Sequence, residues 1–344
     1  MKQLLNTLFV TTQGSYLAKE GDTVLVRIEN ETKLRVPIHT LGSIVCFGQV
    51  SCSPFLMGLC GDRNVTLSFL TENGAFLARV HGPVCGNVLL RREQYRIADN
   101  QKVCADIARS IVIAKMANHR VALLRATRDR PDDPNNEQLE RAGQCLANFI
   151  DELKNRNIST EMIRGIEGNA ANVYFGAFDH LITANKNEFF FRQRSRRPPL
   201  DKMNALLSFL YTILVHDVES ALEGVGLDPA VGFLHVDRPG RPGLALDIME
   251  EFRPYLADRL ALSLINRQQV KPDGFKVSET GAVIMDDDTR KMVLVAWQKR
   301  KQEEITHPFL DEKVQAGLLP HIQAMLMARF LRGDLDGYPP FLWR

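Results

Sequence analysis

The chain has 344 residues, 45% of them hydrophobic, and a formal net charge of +2. This is enough apolar chain for a substantial core and favours two domains over one, while the balanced charge neither selects nor excludes a nucleic-acid partner. No run reaches the ~18 apolar residues of a membrane span: the most apolar stretch, residues 203–218, carries Asn204, Ser208, Tyr211 and His216.

Along the chain, polar Asn6, Thr7, Thr11 and Thr12 break the opening apolar run before an export signal could form. Residues up to about 90 read as strands. Segments 8–12 and 16–19 flank Gln13-Gly14-Ser15, segments 23–28 and 33–36 follow, and 66–70 with 75–80 flank Asn73-Gly74, a dipeptide suited to a hairpin turn. Together they suggest a small antiparallel sheet. Ser53-Pro54 ahead of Phe55, Leu56, Leu59 and Gly61 has the cap, first-turn proline and closing glycine of a short helix. The six cysteines, Cys46, Cys52, Cys60, Cys85, Cys104 and Cys145, contain no C-x-x-C pair, and without an export signal they read as reduced thiols of a cytoplasmic protein. From Arg91 the periodicity becomes helical, which places a domain boundary near residue 92. Residues 1–92 form the β-rich unit and 93–344 the larger helical one, an α+β organisation. Helices are expected over 135–153, 201–222 and 244–265, with a minor hairpin at 275–277 and 282–285.

Three segments carry candidate chemistry. Arg164-Gly-Ile-Glu167-Gly168 lies in a helix opened by Ser159 or Thr160, and glycines flanking a glutamate leave room for a close approach. Glu167 either pairs with Arg164 on a solvated face or faces a site. Gly232-Phe-Leu-His235 is followed by Leu244-Ala-Leu-Asp247-Ile-Met-Glu250-Glu251-Phe-Arg253, whose three acids within five residues repel one another unless a cation neutralises them or they point to water. Phe189-Phe-Phe-Arg192-Gln-Arg194-Ser-Arg196-Arg197-Pro198-Pro199 is a loop of bidentate phosphate donors beside three rings. The stretch 91–130 adds ten Lys or Arg against four acids. Two glutamates and an imidazole would suit Mg²⁺ or Mn²⁺ and phosphodiester chemistry, and basic loops suit a nucleic-acid backbone, although they also serve protein interfaces.

In that order the motifs resemble the CRISPR-associated integrases of spacer acquisition, the Cas-one (Cas1) family, nearest to its type I-C variants. The resemblance runs over essentially the whole chain. It implies a metal triad of Glu167, His235 and Glu250, the last position being aspartate or glutamate among relatives, with Asp247 as a supporting acid. It also implies a homodimer formed through the β-rich domain, a small Cas-two (Cas2) partner, and double-stranded DNA as substrate. DNA fragments would be inserted into a CRISPR array by attack of their 3′-hydroxyls, with Arg192, Arg194, Arg196 and Arg197 on the DNA backbone. A non-catalytic DNA-binding subunit and a stand-alone branched-DNA resolvase are the rival readings.

Overall fold

The computed structural model describes residues 5–343 apart from 73, 81, 83–87, 156 and 157. The chain opens with β1 (Asn6–Val10), β2 (Tyr16–Glu20), β3 (Thr23–Ile28), β4 (Glu31–Pro37), β5 (Leu41–Phe47) and β6 (Ser51–Cys52). Then come α1 (Pro54–Asp62), β7 (Thr66–Leu70) and β8 (Phe76–Val80). Instead of one antiparallel sheet there are two sheets of four strands, ordered β1-β5-β7-β8 and β4-β3-β2-β6. β5 pairs parallel with both β1 and β7, which α1 makes possible by carrying the chain back between β5 and β7. The strand at 41–47 escapes a search for alternation because its LGSIVCF run is buried along most of its length. β1 and β2, read as neighbours across a turn, lie in different sheets. Between them Gln13 clasps the end of β5, its Nε2 donating to the Phe47 carbonyl at 3.1 Å and its Oε1 accepting from Gln49 N at 2.6 Å. The hairpin of β7 and β8 is formed as the sequence suggests, with Gly74 at φ +87°; Asn73 lies outside the described residues. Ser53 caps α1 by accepting from Leu56 N.

The helices follow: α2 (Val88–Ala98), α3 (Gln101–Asp129), α4 (Asn136–Asn155), α5 (Thr160–Ala177) and α6 (Lys202–Val225). α4 and α6 cover the segments expected at 135–153 and 201–222. α6 is long and apolar enough to cross a membrane, but 67% of its most apolar window is buried inside the protein, so it is a core helix. Asp201 caps its start through Asn204 N, and Gly226 in the left-handed region ends it. One core cluster joins Val45, Phe47 and Leu70 of the strands to the helices, with Phe47 against Phe209 at 5.9 Å.

The segment expected as one helix over 244–265 is three pieces: α7 (Gly243–Glu250), a π-helical turn (Arg253–Asp258) and α8 (Arg259–Asn266). Pro254 supplies the reason, since it has no N–H to donate and its ring crowds the preceding turn. β9 (Phe275–Val277) and β10 (Val283–Met285) form the late hairpin. They lead into α9 (Asp287–Gln302), the pair β11 (Glu304–Thr306) and β12 (Lys313–Gln315), and α10 (Leu319–Leu331). The fold is thus a β-rich N-terminal region followed by a mainly helical remainder.

Candidate active site

Asp247, fully buried on α7, organises the loop before it. Its Oδ2 accepts from the backbone N–H groups of Phe233 (2.6 Å) and Leu234 (2.9 Å), and its Oδ1 accepts from His235 N (3.0 Å). Oδ1 also lies 2.6 Å from His235 Nδ1. An ionised carboxylate only accepts, so Nδ1 carries the proton and Nε2 keeps a free lone pair, the arrangement that prepares a histidine to ligate a cation. Gly232 is required here because a Cβ would stand 2.7 Å from Asp247 Oδ2 and 2.7 Å from the Gly243 carbonyl carbon. Arg164 adds a hold by donating to the Leu234 carbonyl at 2.9 Å.

Glu167 on α5 and Glu250 on α7 converge on a residue that the sequence did not single out, Lys115 of α3. Its Nζ pairs with Glu167 Oε1 and stands 2.7 Å from Glu250 Oε2, while Arg253 pairs with Glu250 Oε1 at 2.9 Å. Burial raises the Glu250 carboxyl pKa, but Arg253, Lys115 and His235 outweigh it and hold the group below the usual carboxylate range. Glu250 Oε2 is buried without a well-directed hydrogen bond, its Lys115 contact being an ion pair. Around Glu167 the chain leaves space, since Cβ atoms added at Gly165 or Gly168 would meet nothing within 4 Å. Among the described residues no three His, Cys, Asp or Glu side chains stand close enough to hold a metal ion together. The two glutamates meet through the lysine, with His235 in their neighbourhood. An open cleft bordered by Tyr95, Thr160, Arg164 and Asp237 reaches His235, while the glutamates and Lys115 do not line it.

Several expectations change. Arg164 does not pair with Glu167. The crowded acids of α7 are neutralised within the protein, Glu250 by Lys115 and Arg253 and Asp247 by backbone N–H groups. Glu251 faces away, where its carboxylate accepts from Tyr338 OH, Gln323 Nε2 and Phe341 N. Tyr174, one to two turns after Glu167 on α5, belongs to the core: it is fully buried, stacked on His119 at 3.7 Å and bonded to Asp258. A lone lysine in the apolar run Ile111 to Met116 was the available signal for Lys115.

In the arginine loop, Arg192, Arg196 and Arg197 are exposed and Arg194 turns inward. Arg194 donates to Asn204 Oδ1 (2.6 Å) and Ser208 Oγ (3.1 Å) and lies over the Tyr211 ring. It therefore anchors the loop instead of joining the exposed donors. Of the three phenylalanines only Phe190 is exposed, with Arg192 over its ring; Phe189 and Phe191 are core.

The comparisons with known proteins agree with this architecture. A family model described as CRISPR associated protein Cas1 matches residues 8–299. A CRISPR-associated endonuclease Cas1 from Chlorobaculum tepidum is 59% identical over 344 residues, covering 100% of both chains. A solved casposase bound to integration product superposes with a TM-score of 0.84 at 20% identity, covering 99% of this chain and 95% of that one. A Cas6-RT-Cas1–Cas2 complex superposes at 0.83 and 20% identity, covering 100% of this chain and 36% of its own. At such identities the two structures speak for the fold alone, whereas the family model and the full-length relative go further: the chain belongs to the CRISPR-associated Cas1 family.

Proposed function

We propose that the protein is a metal-dependent DNA endonuclease and integrase that inserts short DNA fragments into a CRISPR array by transesterification, with Glu167, His235 and Glu250 holding Mg²⁺ or Mn²⁺. The observation that carries this is the convergence of two glutamates from separate helices on one cationic point, next to an imidazole whose Nε2 is left free by Asp247. The donors fit a hard divalent ion, and the buried Glu250 Oε2 that lacks a directed hydrogen bond is the oxygen such an ion would satisfy. When bound, the ion would polarise a phosphoryl oxygen and ease deprotonation of the attacking hydroxyl. The chain supplies the rest. Asp247 fixes the imidazole tautomer, Arg253 keeps Glu250 ionised, and Lys115 holds the two glutamates together.

Arg192, Arg196 and Arg197 are the DNA-backbone donors of this reading, and the endonuclease name of the full-length relative favours it. The wider assembly follows the family resemblance: a homodimer through residues 1–92, catalysis in 93–344, a Cas2 partner, the type I-C variant and a cytoplasmic setting. A non-catalytic DNA-binding subunit draws on one observation, that Lys115 already neutralises both glutamates. Glu250→Gln separates the two. It should abolish Mn²⁺-stimulated cleavage and strand joining while duplex binding persists, and activity surviving in this variant would end the catalytic reading.

A further inference from the structure

We infer that Arg125, Arg259 and Arg300, gathered around the rings of Trp343 and Tyr255, form a second phosphate site that grips the backbone of duplex DNA away from the metal-binding residues. It rests on the nucleic-acid reading above. Arg125 of α3 and Arg259 of α8 place their guanidinium carbons 5.8 and 5.2 Å from the Trp343 ring centre. Arg300 of α9 lies 4.4 Å from the Tyr255 ring, and the two rings are 5.3 Å apart. The aromatic plates fix three guanidiniums side by side, where like charges repel.

Among the described residues, acids do not match them. Arg300 pairs with Glu303 and donates to the Tyr255 carbonyl at 3.0 Å, and Arg125 has Asp129 only at 3.7 Å. Arg259 makes no ion pair among the described residues. Burial first, then the charges of Arg300 and Arg125, lower the Arg259 pKa, with Tyr255 and Glu303 acting the other way. A phosphodiester supplies negative charge, with oxygens matched to the guanidinium fork. The cluster opens to solvent at Arg125, whose side chain is 44% exposed, whereas that of Arg300 is 8% exposed and adds its charge from within. Arg125 follows Lys115 by ten residues on α3, about 15 Å along the helix axis at 1.5 Å per residue, so the cluster lies apart from the metal-binding residues.

The test is fluorescence polarisation of a labelled DNA duplex between about 50 and 200 mM salt. The proteins are wild type, Arg125→Gln, Arg259→Gln, the double variant, and Arg141→Gln as an exposed charge control on α4. The double variant should bind at least about fivefold more weakly, with a salt slope shallower by about 0.9 for each phosphate that is no longer neutralised. The control should match wild type, and Mn²⁺ affinity by calorimetry should not change. Wild-type affinity and slope in the double variant would overturn the site while leaving the proposed function standing. A wild type that binds no duplex would remove both. Should Arg259→Gln fail to fold, the partly exposed Arg125→Gln decides alone, its slope either falling or not.

Discussion

At the scale of single residues, Lys115 is the least anticipated feature. A buried ammonium between two carboxylates is strongly stabilising only relative to removing one partner, because an uncompensated buried charge costs about 3–5 kcal/mol. Lys115→Met should therefore lower the melting temperature of the metal-free protein. Added Mn²⁺ should recover more stability in the variant than in wild type, since the ion would then be the only cation between the glutamates. Equal Mn²⁺ shifts in the two proteins would show that the ion does not bind where the lysine stands. Asp247 makes a separate prediction. Asp247→Asn keeps the shape but gives up one of the two acceptor oxygens that hold the loop and the imidazole. His235 then loses its fixed tautomer, and Mn²⁺ affinity by calorimetry should fall about 10- to 100-fold. The glutamates and His235 stood out as candidates because short motifs, weak singly, follow one another in a telling order. Lys115 did not, because a lysine in an apolar helix stretch reads equally as one that snakes its ammonium to water. Arg194 shows the same limit: four arginines in one loop look alike in sequence, and only Asn204 and Tyr211, packed beside it, draw one of them inward.

At the scale of elements, periodicity announced α4 and α6, but not the break at Pro254 or the buried parallel strand β5. The π-helical turn after Pro254 carries Asp258 into the core, where Tyr211 OH donates at 2.5 Å and Tyr174 OH at 3.0 Å. Burial raises the Asp258 pKa from 3.8 to about 6, against the lowering effect of both tyrosines, Arg253 and Arg194. A carboxyl whose folded pKa lies above its unfolded value contributes stability that is complete below the unfolded pKa and is lost as pH rises through the folded one. The loss from Asp258 thus develops between about pH 4 and pH 6, and a shift of about two units is worth roughly 3 kcal/mol. Asp258→Asn, which keeps an acceptor and adds a donor for the tyrosines, should gain on wild type by up to that amount between pH 4 and pH 7 in urea unfolding. A constant difference across that range would mean that Asp258 does not titrate there.

At the scale of the whole molecule, the end of the described chain returns to the helices that hold the site. Asn118, fully buried one turn after Lys115, donates from Nδ2 to the carbonyls of Glu251 (2.8 Å) and Phe341 (2.9 Å), and its Oδ1 accepts from Trp343 N at 2.8 Å. One side chain thereby ties α3, the end of α7 and the segment 338–343, whose Phe341 ring is fully buried against Phe252 and Tyr255. No local pattern could reveal this, because the three partners are joined only by the tertiary fold. Asn118→Ala would leave two buried carbonyls and one N–H without partners, at about 1–3 kcal/mol each. The urea midpoint should drop accordingly. Because Lys115 and Glu250 ride on the two helices that Asn118 joins, Mn²⁺ affinity should fall as well. Phe341→Leu, which removes packing but leaves those hydrogen bonds, should lower the midpoint with metal affinity unchanged. Were the two variants to lose stability and affinity in the same proportion, Asn118 would be acting through global stability and not through the spacing of α3 and α7.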